Sequence, residues 1–427
     1  MKGAKNTNML VGIKKRWQRS LIFPKIIWTL GVALIYLFGR KLPITTLSSS
    51  QEALKQVANL DLINNLASVT GANFSSTTIF TLGLSPWMTS MIIWRFFTVF
   101  GIFKNVTNVQ LHRYRTLLTL LIGSIQAFGL TASSQFTIFQ DLGETGIFWA
   151  RILTIFLLVT GSFVLTWIGN LNSQKGLGGM TIIILINMIL SFVENIGRYL
   201  EKGLTSATGL HVTLFVLSYV ALVLLTVIFY RAEYRIPIRR IGVNNAYNKG
   251  SYLPIRITPA GAMPFMYGMT MMLLPPYIIS GLLILFPNNT FLLFLATNIG
   301  ISQLPGVLLY IVLLYVLAIG FSYYNYDAYD IAKNMRNNGD YIEKIRPGEQ
   351  TRKYIQGKIN VLAHFGACFV ILMGGLPLLF IVLQKGSSEN VSIALLISNV
   401  FIISSLLLGV IEQVNMLQNW KKYKNLI

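Results

Sequence analysis

Residues 83–88 read Gly-Leu-Ser-Pro-Trp-Met, and residues 261–266 read Gly-Ala-Met-Pro-Phe-Met. Both are Gly-x-x-Pro-aromatic-Met, and both lie at the start of a long apolar stretch. Pro86 and Pro264 lack the N–H that a helix needs and disturb it locally. In a membrane such breaks persist only where neighbouring groups or a water-lined cavity satisfy the freed carbonyls. The repeat therefore marks two equivalent, interrupted helices.

The surrounding chain supports a membrane reading. Of 427 residues, 54% are hydrophobic and only 11% charged, with a mean hydropathy of +0.61. Soluble domains carry about 25% charged residues. The apolar residues gather into runs of about 20, the length that crosses a bilayer as a helix. Ten spans are expected, at about 22–39, 77–98, 116–136, 148–168, 178–196, 208–230, 260–286, 306–325, 360–383 and 391–413. The first is no cleaved signal, because Gly39-Arg40-Lys41 follows it in place of a small-residue cleavage site. The repeat falls in the second span of each five-span half. Five is odd, so the halves, 22–200 and 201–413, lie in opposite orientations. That is an all-α inverted repeat with its functional centre at the proline-broken segments.

The net charge of +21 reflects 35 Lys and Arg against 14 Asp and Glu. In a membrane protein this first reports orientation. The basic N-terminus (1–21), the loops at 231–259 and 326–359 and the tail (414–427) fall on one side. With Lys25 and the shorter loops on that side they hold 27 basic residues, against 7 on the other. Both termini are expected in the cytoplasm of a multi-pass cell-membrane protein. The two long loops interleave Tyr with Arg, and the second carries five acids. They read as a docking surface for a cytoplasmic partner.

Several functions are disfavoured. Cys368 is the lone cysteine, which excludes an internal disulfide and a thiolate metal site. His112, His211 and His364 are scattered, and neither His-Glu-x-x-His nor a phosphate-binding Gly-x-x-x-x-Gly-Lys-Ser/Thr occurs. No catalytic residue, metal or cofactor is expected. A coupled ion transporter buries carboxylates or histidines near the midplane, and these spans hold almost none. Arg95 is expected to snorkel, and Cys368 and His364 to pack in or cap the ninth span. The remaining polar groups are hydroxyls and amides, among them Thr89, Ser90, Gln126, Asn187 and Thr270. Broken helices without buried charge describe a passage that binds no ion and whose constriction is apolar. An inverted-repeat secondary transporter and a passive membrane scaffold are the competing readings.

Four stretches resemble the SecY family, the channel-forming subunit of the protein translocase. IFTLGLSPWMTSMII (79–93) resembles its second helix, and WIGNLNSQKGLGGMTIII (167–184) the approach to its fifth. YLPIRITPAGAMPFMYG (252–268) resembles the start of its seventh, and IAKNMRNNGDYIEKIRPGEQTRKYI (331–355) its last large cytoplasmic loop. The most specific motif is Arg346-Pro347-Gly348-Glu349-Gln350-Thr351. The likeness extends from Lys25 to about Tyr423. It departs from the housekeeping pattern in the shortened Gly176-Leu177-Gly178-Gly179, in Gly71-Ala72, and around Arg239-Arg240. These departures resemble the accessory SecY paralogue of Gram-positive bacteria, which exports serine-rich glycoprotein adhesins. The housekeeping channel stands as the alternative.

The resemblance implies an apolar pore ring at Leu84, Met88, Met180, Ile184, Met266 and Ile402, and a plug at about 60–74. It implies a lateral gate between the second and third spans on one side and the seventh and eighth on the other, with Thr89, Gln126, Thr270 and Leu274 at the seam. Arg346, with Arg239 and Arg240, would dock the motor. The implied partners are a SecA-type ATPase, small SecE-type membrane subunits, an unfolded secretory polypeptide and the lipid bilayer; a ribosome is a less favoured alternative to the ATPase.

Overall fold

The computed structural model describes residues 22–44, 69, 78–99, 107–132, 136, 143–206, 209–241, 250–286, 289–384 and 388–424. The first six spans are α1 (Phe23–Gly39), α2 (Ser85–Val99), α3 (Asn108–Ala132), α4 (Gly143–Lys175), α5 (Thr181–Ser206) and α6 (Gly209–Arg231). The seventh is split into α7 (Met263–Met272) and α8 (Leu274–Leu285), which meet at Leu273 just before Pro275 and Pro276. A short α9 (Thr290–Asn298) leads to the eighth span, α10 (Leu304–Asn325). After α11 (Ala328–Asn338), the ninth span comprises α12 (Glu349–Val370), a π-helical turn (Ile371–Gly375) and α13 (Leu376–Leu383). The tenth is α14 (Ser388–Lys424).

The two copies of the repeat share one backbone geometry. Gly83 and Gly261 both take left-handed φ values, 56° and 59°, which favour glycine because it lacks a Cβ. Gly83 N donates to Phe80 O and Gly261 N to Thr258 O, at 3.0 and 3.1 Å. Ser85 N donates to Leu82 O and Met263 N to Ala260 O, at 3.3 and 3.4 Å. Met88 N and Met266 N then open the helices with bonds to Leu84 O and Ala262 O, at 2.9 and 3.2 Å. Each proline sits in its helix's first turn, where the missing N–H costs least. The expected second span therefore begins as a turn through residues 79–84 and becomes helix only at Ser85.

Helix ends depart from expectation mainly at the basic face. α4 runs past 168 to Lys175, and α12 starts at Glu349, inside the expected loop. The π-helical turn has a local cause. Pro377 has no N–H to offer the carbonyl four residues back. Gly374 and Gly375 meanwhile lie against Phe265 and Ile311, where a Cβ would come within 2.4 and 2.8 Å.

The spans enclose one large core that includes Leu84, Met88, Ile184, Met266, Tyr310 and Ile402. Between helices in lipid there is little hydrophobic driving force, so close packing holds the bundle. Outside the membrane part, the two long loops fold together. β1 (Glu233–Pro237) pairs antiparallel with β3 (Tyr252–Arg256), and β2 (Arg239–Arg240) with β4 (Asp340–Tyr341). Asp327 caps α11 by accepting from Tyr329 N at 2.8 Å. Gly339, at φ 72°, ends that helix and turns the chain into β4. A second core of Ile236, Ile238, Ile255, Ala328, Met335, Ile342, Ile355 and Ile359 binds both loops to the root of α12. They form one structured unit, as their mixed charge suggests.

Candidate conduction site and gate

The expected ring residues come from both halves and from four spans. Leu84 sits in the turn before α2, and Met88 lies one turn into that helix. Met180 and Ile184 lie at the start of the fifth span, Met266 in α7 and Ile402 in α14. All six are buried. On the basic face a cleft of about 540 Å³ is lined by Met180 and Met266 among others. Its walls mix polar residues, Ser173, Thr181, Asn325, Ser405 and Gln413 among them, with apolar ones such as Met263, Leu406 and Val410. Methionines from both halves thus line one vestibule. A narrow apolar passage wets poorly, and an ion entering it loses hydration without replacement.

The vestibule is braced at its mouth. Arg256, from β3, reaches Glu412 of α14 at 3.0 Å and lies 4.4 Å over the Tyr230 ring of α6. Burial works against its charge, but Tyr230 and Glu412 outweigh it and hold its pKa above the usual arginine value. Gln413 accepts from Gly178 N at 2.8 Å. Asn172 fills the turn after α4, donating to Leu177 O at 2.9 Å and Gly179 O at 2.8 Å. Thr29 of α1 accepts from Leu177 N at 2.9 Å. The shortened glycine turn is thus fixed from three helices, and it sets Met180 against Gly169.

The seam between the halves runs where α2 and α3 meet α7, α8 and α10. The Thr270 hydroxyl is 3.9 Å from Met88 Sδ. Gly129 of α3 touches the backbone of Tyr277 in α8; a Cβ there would come within 2.3 Å of the Tyr277 carbonyl oxygen. The expected polar latch is not formed as a mutual cluster. Thr89 donates to Ser85 O and Thr270 to Met266 O, each 2.8 Å away in its own helix. The Gln126 amide is fully buried, with no hydrogen-bond partner among the described residues. A hydroxyl one turn from a free carbonyl satisfies itself locally and needs no partner across the seam. Leu274 begins α8 at the same seam.

Comparison with known proteins bears on the family and the fold. The family model for SecY matches residues 78–411. The chain belongs to the SecY family. The accessory Sec system protein translocase subunit SecY2 of Streptococcus parasanguinis is 49% identical over 98% of this chain and all of that one. The SecY2 of Leuconostoc gelidum subsp. gasicomitatum is 33% identical over 95% of this chain and 97% of that one. A solved protein-conducting channel shares the fold, with a TM-score of 0.66 at 15% identity over 93% of each chain.

Sequence reasoning missed one feature of this SecY chain. Arg95 does not simply snorkel. Its guanidinium lies over three rings, 5.5 Å from Tyr267, 5.0 Å from Phe321 and 4.4 Å from Tyr324. Nη1 approaches Met263 Sδ at 3.6 Å. Spacing gave no signal, because the three rings come from two other spans.

The loop arginines divide into two kinds. Arg239 is paired with Glu343, and Arg240 with Asp340 at 3.2 Å; both tie one loop to the other. Arg346 is exposed and forms no ion pair among the described residues. Thr351 donates to Arg346 O at 2.9 Å, which fixes the turn into α12. Cys368 is exposed on α12 rather than packed. His364 lies within 2.8 Å of Asn360 O and edge-on to Tyr315. The expected plug falls outside the described residues except for Val69, which is fully buried in the main core. The N-terminal segment 1–21 and the last three residues also lie outside them.

Proposed function

We propose that an unfolded polypeptide crosses this chain between its two halves, through the ring of Leu84, Met88, Met180, Ile184, Met266 and Ile402. The chain is a protein-translocating channel subunit of the accessory Sec type. The cleft that Met180 and Met266 line from the two halves carries the conduction reading. A ring of apolar side chains grips any sequence by contact alone, and flexible methionines conform to varied cargo. With no passage, the ring seals against ions.

The basic face is the cytoplasmic one in this reading, with both termini on it, as the positive-inside asymmetry supports. The burial of Val69 in the main core supports the plug reading of the segment at about 60–74. The α2/α3 edge and the α7/α8/α10 edge part to release an apolar signal helix into lipid. No nucleotide-binding motif lies in the sequence, so the drive comes from a SecA-type ATPase that docks on Arg346 and the folded loop unit. SecE-type subunits brace the bundle. The cargo is that of an accessory system, serine-rich glycoprotein adhesins.

The test is isolation in mild detergent followed by reconstitution into vesicles. A cytoplasmic ATPase should co-purify, and ATP should drive a tagged secretory precursor into a protease-protected state. ATP-independent uptake of a small solute, with no precursor movement, would instead support the secondary transporter.

A further inference from the structure

Arg95 lies seven residues beyond Met88 on α2, about 10 Å further along the helix. Its ring partners are Tyr267 on α7 and Phe321 and Tyr324 on α10. Every partner stands across the seam, on the other half of the molecule. Tyr267 and Phe321 stack on each other, with centroids 5.0 Å apart, so two of the three rings also support one another. Arg95 Nε is buried with no hydrogen-bond partner among the described residues, and no carboxylate there pairs with the guanidinium. A cavity of about 40 Å³ lies beside it, between α2 and α10, lined by Ile92, Phe96 and Gly320. The same cavity is lined by Arg95, Phe321 and Tyr324, so the cage is not packed solid on that side.

We propose that Arg95 is a gate-threshold residue: its cation–π contacts hold the two halves together, and a signal helix must outcompete them to part the seam. The idea rests on the lateral-gate reading above and adds a determinant of which signals succeed. The chemistry suits the task. Guanidinium on aromatic faces holds without burying an ion pair, whose rupture would strand a carboxylate in lipid. Strongly apolar signals gain enough from lipid and seam to displace the cage, and weakly apolar ones do not. The occupant that opens it is a basic-ended, apolar helical peptide.

The experiment uses the full chain with its co-purified membrane subunits, reconstituted in a planar bilayer. The probe is a synthetic peptide with a basic N-terminus and an all-leucine core, compared with one in which alternate leucines are alanine. Conductance is read against peptide concentration. In Arg95→Met and in Tyr324→Leu the half-maximal concentration should fall by about tenfold, equivalent to about 1.4 kcal/mol of lost cation–π attraction. The alanine-containing peptide should then open the channel as the leucine peptide opens the parent. Tyr324→Phe keeps the ring face and should behave as the parent, a rescue that mere packing loss would not show with Leu. Identical curves for parent, Arg95→Met and Tyr324→Leu overturn the latch while leaving the gate intact. A parent channel that ignores both peptides at every concentration overturns the gate reading itself, and the latch with it.

Discussion

Thr270 and Met88 meet across the seam, hydroxyl to sulfur, at 3.9 Å. They belong to helices that are copies of one motif, and each is anchored by the same left-handed glycine turn. On the proposed reading the contact joins a ring residue to a gate residue, so sealing and gating would share one point. Opening the seam sideways necessarily pulls Met88 away from α7. Cysteines at positions 88 and 270, with Cys368→Ser, should join through a short bifunctional thiol reagent in the resting channel. The joined protein should lose export, and a cleavable reagent should restore it on reduction. Joining without loss of export would show that cargo does not need this seam to part.

Replacing Met88 and Met266 together by Ser should raise resting ion conductance several-fold. Two hydroxyls at the constriction let water persist there and shelter a passing ion. Conductance of the reconstituted double variant, compared with parent, checks this. An unchanged value would place the seal elsewhere in the core.

Gly129 offers a mechanical test. A Cβ there meets the Tyr277 backbone at 2.3 Å, and a backbone cannot rotate aside as a side chain can. Gly129→Val should force α3 from α8 at a cost of about 1–3 kcal/mol. The expected result is a leakier channel that tolerates weaker signals, read as conductance and as export of a signal-impaired precursor. Gly31 is a control, since nothing lies within 4 Å of a Cβ there; Gly31→Ala should change neither.

Arg346→Glu should reduce ATP-driven export by about tenfold or more, since a charge-assisted contact contributes about 1.5–3 kcal/mol. The turn itself should survive, because Thr351 holds the Arg346 carbonyl rather than its side chain. Export assays with measured ATPase binding check both halves of the statement. Normal binding with lost export would move the role of Arg346 from docking to force transfer.

Much of this was legible because it depends on local sequence. The two Gly-x-x-Pro-aromatic-Met segments announced both the broken helices and their equivalence, and the shared φ of Gly83 and Gly261 is the physical content of that match. Span positions followed from hydropathy, with errors where helices run on into water, as at Lys175 and Glu349. The Arg95 cage was illegible, because ring and cation are brought together only by packing three spans. The polar latch was over-read: Thr89 and Thr270 sit where a helix carbonyl is always within reach, and Gln126 finds no hydrogen-bond partner among the described residues. The pairing of Arg239 and Arg240 with the other loop was present as opposite charges but needed the register of β2 and β4 to become a contact.

That register supplies a test of what the paired arginines do. Arg240 stands directly opposite Asp340 in the two-residue ladder, with Arg239 opposite Tyr341. Asp340 is mostly shielded and Arg240 half-exposed, so the pair is worth about 0.2–1 kcal/mol by itself. Reversing one charge puts two like charges face to face on adjacent strands, which is unfavourable. Arg240→Asp should therefore loosen the junction between the loops and lower export modestly, with faster proteolysis at residues 239–241. Adding Asp340→Arg restores an opposite-charge pair in the same register. If Arg240 serves the junction, the double variant regains export and protease resistance. If Arg240 instead grips the motor, the double variant regains resistance but not export, because the positive charge now stands on the other strand.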